Sequence, residues 1–257
     1  MPDGPPIATT RSGANGSRLV LIHGFTQTSG SWGPFGAALA DRHAVVAVDA
    51  PGHGRSADLA AGLAEGADLI AETAGTGTYI GYSMGARWAL HVALRRPETV
   101  ERLVLISASA GIEDPAERAA RRESDEELAQ RIESEGVEPF VNWWLSRPMW
   151  ATLPAEAARA ESRLANTAPG LASSLRLAGA AATPPLWERL DELQMPVLVV
   201  AGGLDAAYRA RAERLHRLLP HSRLAIVAGA GHACHLEQPE AVAGAVLDWL
   251  SQRQPRR

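Results

Sequence analysis

The chain has 257 residues, 46% of them hydrophobic and 21% charged, with a formal net charge of −4. That length can bury a full core, the composition is ordinary for a soluble globular protein, and the acidic balance argues against nucleic acid as the main partner. No apolar run approaches the roughly 18 residues of a membrane span and the N-terminus lacks a signal-peptide core, so a cytoplasmic location is expected. One cysteine, Cys234, excludes an intrachain disulfide and provides no cysteine cluster for a metal; no cofactor is expected.

All 25 basic residues are arginine. Any cationic site must therefore be built from guanidinium groups, whose planar fork suits bidentate recognition of carboxylates.

Residues 1–17, rich in Pro, Gly, Ser and Thr, read as a loose or edge segment. Leu19-Val20-Leu21-Ile22 is a continuous apolar run, as expected of a strand buried on both faces, and it ends in His23-Gly24-Phe25-Thr26. Ala44–Val48 is a second such strand, closing in Asp49-Ala50-Pro51-Gly52-His53-Gly54, where Asp49 is expected to order the turn through backbone hydrogen bonds. Residues 57–75 read as a helix. Thr78-Tyr79-Ile80 then runs into Gly81-Tyr82-Ser83-Met84-Gly85, followed by helical spacing of Met84, Trp88 and Val92. Strand, Gly-x-Ser-x-Gly turn and helix are the context of a nucleophile elbow, with an exposed hydroxyl at a helix N-terminus. Arg87 lies one helical turn after Ser83, on the same side of that helix.

Leu103–Ser107 is a further strand. From 113 to 187 only helical pattern appears. Asp114-Pro115-Ala116-Glu117 is a helix start, Gly136 and Pro139 separate that helix from Phe140–Leu145, Thr152-Leu153-Pro154 opens a third, and Leu171–Leu177 reads as a fourth. Arg121 sits on the first of these helices, with Glu117 as a possible i,i+4 partner, and Arg163 on the third. Strand character returns at Val197–Ala201, ending in Gly202-Gly203-Leu204-Asp205; the next helix carries Ala210, Leu215 and Leu218. Leu224–Val227 is the last strand, ending at Gly231-His232, and Pro239 opens a closing helix through Leu250 before a solvated tail. The alternation predicts an α/β fold, a mostly parallel sheet with helices on both faces. Residues 1–112 and 188–257 would form the core domain and 113–187 a helical lid over the strand ends.

Ser83, Asp205 and His232 each follow a buried strand, where open α/β sheets place their sites. A serine hydroxyl needs a base, and the base needs an acid to fix its tautomer, so the three are candidate catalytic residues. The N–H groups of Phe25 and Met84 are candidate oxyanion donors.

With His23-Gly24-Phe25, Pro51-Gly52-His53-Gly54, Gly81–Gly85, Asp205 and His232, the chain resembles the α/β-hydrolase superfamily over nearly its whole length. Within it, Tyr82-Ser83 followed by Arg87, the run Glu117–Asp125, Trp143-Trp144 ahead of Arg147-Pro148, Arg163 and Gly203-Leu204-Asp205 are similar to the 2-succinyl-6-hydroxy-2,4-cyclohexadiene-1-carboxylate synthases of menaquinone biosynthesis. Met84 and Ala86 depart from the Leu and Gly more usual there, and Arg122 leaves open which neighbour faces the pocket. The resemblance implies a carbon–oxygen lyase acting on a small polycarboxylate, with Tyr82, Arg87, Arg121, Trp144 and Arg163 binding its carboxylates and framing its ring. The same triad would also serve a serine carboxylesterase or a C–C bond hydrolase, which predicts a mainly apolar pocket.

Overall fold

The computed structural model describes residues 7–13 and 16–252. Among them, β1 (Thr9–Gly13), β2 (Arg18–Ile22), β3 (Ala44–Val48), β4 (Gly77–Tyr82), β5 (Val100–Ile106), β6 (Val197–Gly202) and β7 (Ser222–Val227) form one sheet in the spatial order β1-β3-β2-β4-β5-β6-β7. β1 runs antiparallel to β3, with Thr9 opposite Val48; every other pair is parallel. Part of the N-terminal segment is thus an edge strand; residues 1–6 and 14–15 lie outside the described chain, as do 253–257 of the tail.

The helices are α1 (Gly33–Ala40), α2 (Leu63–Ala74), α3 (Met84–Arg95), α4 (Pro115–Glu135), α5 (Val137–Leu145), α6 (Ala160–Arg163), α7 (Ala168–Ala178), α8 (Ala206–Leu218), α9 (Cys234–Glu237) and α10 (Pro239–Ser251). The central strands β2 to β6 read as apolar runs because both faces of the sheet are covered there. The edge strands β1 and β7 are largely half-buried or exposed, so His232, unlike Ser83 and Asp205, follows an edge strand and not a fully buried one. Successive side chains point to opposite sides. Val20, Ile22, Leu103, Leu105, Val197 and Val199 join Ile70 of α2, Trp88 of α3 and Leu215 of α8 in one core. Leu19, Leu21, Val104, Ile106, Leu198 and Val200 join Phe35 of α1 and Val246 and Trp249 of α10 in the other.

From β2 the chain first adds β3 on one side, then β4 and its successors on the other. The register pairs Ile22 with Gly81, Tyr82 with Ile106 and Ile106 with Val200, so the carboxyl ends of β2, β4, β5 and β6 share one rim at that switch in direction.

Between β5 and β6 the chain is helical. Asp114 caps α4, accepting from the N–H of Ala116 (2.9 Å) and Glu117 (2.8 Å). Ala129, Ile132, Phe140, Leu171, Ala172 and Leu175 give α4, α5 and α7 a small core of their own. Arg176 of α7 adds a fork to Glu126 (2.8 Å) and Glu133 (2.6 Å) of α4.

Three local expectations are corrected. The helix read at 57–75 begins only at Leu63, after a 3-10 turn at Gly54–Ser56. Pro139 does not separate α4 from α5; it lies in the first turn of α5, where a missing N–H costs nothing. The helix expected to open at Thr152-Leu153-Pro154 is a single turn, with Pro154 O accepting from Ala157 and Ala158 N–H (both 3.0 Å). It stops because Arg159 adopts φ +54°, and the regular piece is only α6. α8 does carry Ala210, Leu215 and Leu218; of these only Leu215 is buried, with Ala212 beside it.

Candidate active site

β4 delivers Ser83 to the rim at φ 51°, ψ −109°, and α3 starts at the next residue. A Cβ-bearing residue in such a region costs on the order of 1–3 kcal/mol. The turn is held by Ser83 N–H to Ile106 O (2.9 Å) and by Ser83 O accepting from Ala86 N–H (3.1 Å). Its tightness explains the glycines. A Cβ on Gly85 would stand 1.8 Å from Ile22 O, and one on Gly81 would stand 2.3 Å from Gly85 O.

Ser83 Oγ lies 3.0 Å from His232 Nε2, and His232 Nδ1 lies 2.8 Å from Asp205 Oδ2. An ionised Asp205 only accepts, so Nδ1 carries the proton and Nε2 is free to take one from the serine. Asp205 caps α8: its Oδ1 accepts from Tyr208 N–H at 3.1 Å. Burial alone would raise the Asp205 carboxyl, but the hydrogen bonds from His232 and the Tyr208 N–H, with the charge of Arg211, hold it below the usual range.

The imidazole has further supports that sequence reasoning did not single out. Ser107 Oγ donates to His232 O (2.7 Å), and the Glu237 carboxylate takes the N–H groups of Gly231 (2.6 Å) and Ala233 (3.0 Å), on either side of His232. Tyr208 lies against the ring at 4.4 Å between centroids, with Trp150 and Tyr82 each at 5.6 Å.

On the far side of Ser83 the turn 24–27 is fixed by its own bonds. Gly24 N–H donates to Gln27 Oε1 (2.9 Å), Gln27 N–H to Gly24 O (3.1 Å), and the neutral His23 ring bridges Ala50 N–H and Gly24 O. Burial pushes His23 down to about 4, which keeps that ring uncharged. The N–H groups of Phe25 and Met84 are given to no acceptor among the described residues. Asp49 orders its turn through a backbone hydrogen bond as expected, Oδ2 accepting Arg55 N–H (3.4 Å), and adds Arg55 Nε (3.1 Å) and, across to the next loop, Ser29 N–H (2.7 Å).

Ser83 opens onto a cavity of about 580 Å3. Phe25, Met84, Trp144, Leu128, Ser174 and Tyr208 line it, with Arg87, Arg121, Arg131, Arg147 and Arg211. Among the described residues lining it, one acid, Glu127, stands against these five arginines, two of which, Arg121 and Arg131, also pair with Asp125 (2.8 Å) and Glu135 (3.0 Å). Burial, and then the charge of Arg121, which lines the same cavity, push Arg87 down to about 10. Arg87 Nε has no partner among the described residues. Arg121 pairs with Asp125 (2.8 Å), one turn on, rather than with Glu117. Of the adjacent pair it is Arg121 that reaches the cavity; Arg122 turns away and donates to Ala181 O (3.4 Å). Arg131 and Arg147 flank Trp143 at 3.9 and 5.0 Å from its ring.

Two residues expected at the substrate do not line this cavity. Tyr82 is the last residue of β4, and the strand's alternation sends its ring into the core on the α1 and α10 side, 4.2 Å from His235. Arg163 is fully buried behind Phe25 and Thr26, donating from Nε to Ala158 O (2.9 Å) and from Nη1 to Thr26 Oγ1. Arg131, Arg147 and Arg211 are the residues that sequence reasoning missed. The absence of lysine was a signal for guanidinium chemistry, but not for which arginines converge.

The model of the alpha/beta hydrolase family matches residues 19–245. The chain belongs to that family. It is 35% identical to a Bacillus subtilis (strain 168) protein provisionally named 2-succinyl-6-hydroxy-2,4-cyclohexadiene-1-carboxylate synthase, over 97% of this chain and 96% of the relative. With the 2-succinyl-6-hydroxy-2,4-cyclohexadiene-1-carboxylate synthase of Enterobacter sp. (strain 638) it shares 32% identity, covering 95% of this chain and 96% of that one. Among solved structures it is similar to MenH from S. aureus, with a TM-score of 0.86 and 29% identity over 94% of this chain and 97% of that one.

Proposed function

We propose that this alpha/beta hydrolase-family protein is a lyase of menaquinone biosynthesis working in the cytoplasm. It eliminates pyruvate from 2-succinyl-5-enolpyruvyl-6-hydroxy-3-cyclohexene-1-carboxylate to give 2-succinyl-6-hydroxy-2,4-cyclohexadiene-1-carboxylate. The observation that carries the reading is the pairing of a Ser83–His232–Asp205 relay with a cavity holding five arginines and one acid. A substrate with three carboxylates needs that cationic surplus; a neutral ester does not.

His232 takes the Ser83 proton through Nε2, and Asp205 stabilises the imidazolium that results. The serine oxygen removes the ring proton next to the succinyl ketone. The enolate oxygen rests on the N–H groups of Phe25 and Met84, where fixed donors in a water-poor cleft are most effective. Collapse of the enolate forms the diene and breaks the ring bond to the enolpyruvyl oxygen. The departing pyruvate enolate takes the proton held on His232 and leaves as pyruvate, which restores the neutral imidazole beside Ser83. Arg87 and Arg121 bind substrate carboxylates beside the serine, and Trp144 frames the ring. No acyl-enzyme forms, in contrast to a carboxylesterase or C–C bond hydrolase with the same triad. The helical segment 113–187 acts as the lid that supplies Arg121 and Trp144.

The test is purified protein with the enolpyruvyl substrate, following pyruvate through lactate dehydrogenase and NADH. Stoichiometric pyruvate, lost in Ser83→Ala, is the expected result. Hydrolysis of neutral esters with no pyruvate released would replace the lyase reading by that of a hydrolase.

A further inference from the structure

Arg163 and Asn166 both reach from the helical segment to the turn after β2, Arg163 to Phe25 and Thr26 and Asn166 to Thr26. Arg163, 0% exposed, gives Nη1 to Thr26 Oγ1 and to Phe25 O (3.4 Å), while its Nε is held by Ala158 O. Asn166 Nδ2 donates to Thr26 O at 2.7 Å and to Arg163 O at 2.8 Å. Its Oδ1 accepts Gly54 N–H at 2.9 Å, which fixes the amide from the other end.

The residue they grip is the one that needs holding. Thr26 is fully buried and sits at φ +66°, a left-handed conformation that a β-branched side chain resists. Its neighbour Phe25, which lines the cavity, carries one of the two N–H groups given to no acceptor among the described residues. Gly24 on the other side is already fixed by Gln27 and His23. With the carbonyls of Phe25 and Thr26 and the Thr26 hydroxyl all taken, the peptide planes about Phe25 have one orientation.

We propose that Arg163 and Asn166 are positioning residues for the oxyanion site: a clamp that holds Phe25-Thr26 so that the Phe25 N–H faces the developing oxyanion. Arg163 then acts through the backbone and not as a ligand of a substrate carboxylate. The inference rests on the assignment of Phe25 N–H as an oxyanion donor made above. It also places part of the helical segment 113–187 in control of the chemistry, because displacing 158–166 releases the turn.

The experiment compares Asn166→Ala, Arg163→Met and Arg163→Lys with wild type, and adds Thr26→Gly to Asn166→Ala. Three readouts are taken: kcat and KM for pyruvate release, amide hydrogen exchange of 25–27 against β4 and β5, and the rate at which a fluorophosphonate labels Ser83. Misplacing one oxyanion donor predicts a fall in kcat of about tenfold or more with KM nearly unchanged. Exchange should quicken at 25–27 while β4 and β5 stay protected, and labelling should slow in parallel. Glycine reaches φ +66° without strain, so Thr26→Gly should recover part of the loss in Asn166→Ala. A rise in KM with kcat, loop exchange and labelling all unchanged overturns the clamp and makes Arg163 a substrate ligand. Faster exchange throughout the sheet overturns it too, as a general loss of structure. If wild type releases no pyruvate, the lyase reading fails while exchange and labelling still decide the clamp.

Discussion

Ser83 and Arg87 both hold side chains in places that folding alone would not choose. The left-handed Ser83 backbone is strained because of its Cβ, so Ser83→Ala should keep that strain and Ser83→Gly should relieve it. Glycine loses more backbone freedom on folding, which offsets part of the gain. Both variants should be inactive, with Ser83→Gly the more stable by about 1 kcal/mol in urea titrations; equal stabilities would mean that the elbow is not strained. Arg87 is a desolvated cation whose Nε has no partner among the described residues, whereas Arg121 neutralises Asp125, whose side chain is only 5% exposed. In the absence of substrate, Arg87→Met should therefore hold or raise the melting temperature. Arg121→Met should lower it, by the equivalent of about 1 kcal/mol for a half-exposed pair. Each should cost on the order of 2–5 kcal/mol in kcat/KM for the polycarboxylate. If Arg87→Met instead unfolds the protein, the residue has a structural partner and the carboxylate role fails. The triad residues were legible in the sequence because each follows a strand that announces its own end. Arg163 was not. A position on a short helix does not tell whether a guanidinium enters the cavity or turns back to the carbonyls of a neighbouring loop.

At the scale of elements, the strongest constraint is the crossing of α3 over the end of β2. Gly85 approaches so closely that a Cβ would meet Ile22 O at 1.8 Å and His23 O at 2.6 Å, both backbone atoms that no rotamer can move. Gly85→Ala should therefore destabilise by on the order of 4 kcal/mol or more, a magnitude reserved for changes that force the backbone apart. Far-UV circular dichroism and urea titration would read it, and a loss under 1 kcal/mol would mean that α3 can slide. The central strands could be read from the sequence because two-sided burial leaves little room for anything but apolar residues; β1, polar and mostly exposed at the sheet edge, carries no such signal. The helices between β5 and β6 were harder. Asp114-Pro115 announced α4 through its cap, but the alanines of 155–160 favoured a helix that the left-handed Arg159 and the claim of Arg163 on Ala158 O do not allow. Propensity there is outweighed by tertiary hydrogen bonds. The convergence of Arg131, Arg147 and Arg211 depends on how α4, the turn after α5 and α8 are placed, and no local pattern carries that.

For the molecule as a whole, the buried histidines set the response to acid. Burial pushes His23 and His91 down to about 4 and His53 and His235 down to about 3, with like charges adding at His91 and at His235. All four are therefore neutral when folded, while in the unfolded chain each takes up a proton near its ordinary 6.5. The unfolded state then binds more protons than the folded one between pH 6.5 and about 4. Stability is full above pH 6.5 and is lost as the pH falls through that window. Each histidine contributes at most about 1.4 kcal/mol per pH unit there. Four together approach ~5 kcal/mol per pH unit, against a total of about 5–15 kcal/mol for a domain. Acid unfolding should thus begin above the carboxylate range, where Asp49 and Asp205, both held below their ordinary values, are still charged. The group best suited to test this is His235. Neither ring nitrogen has a partner among the described residues, and its neighbours are the rings of Trp32, Phe35 and Tyr82, an environment made for phenylalanine. His235→Phe should leave stability at pH 7.5 equal to or above wild type and reduce the slope of unfolding free energy between pH 6.5 and 5 by about a quarter. Urea titrations at pH 7.5, 6.5, 5.8 and 5.0 on both proteins give that slope, and identical slopes would show that His235 is protonated in the folded state.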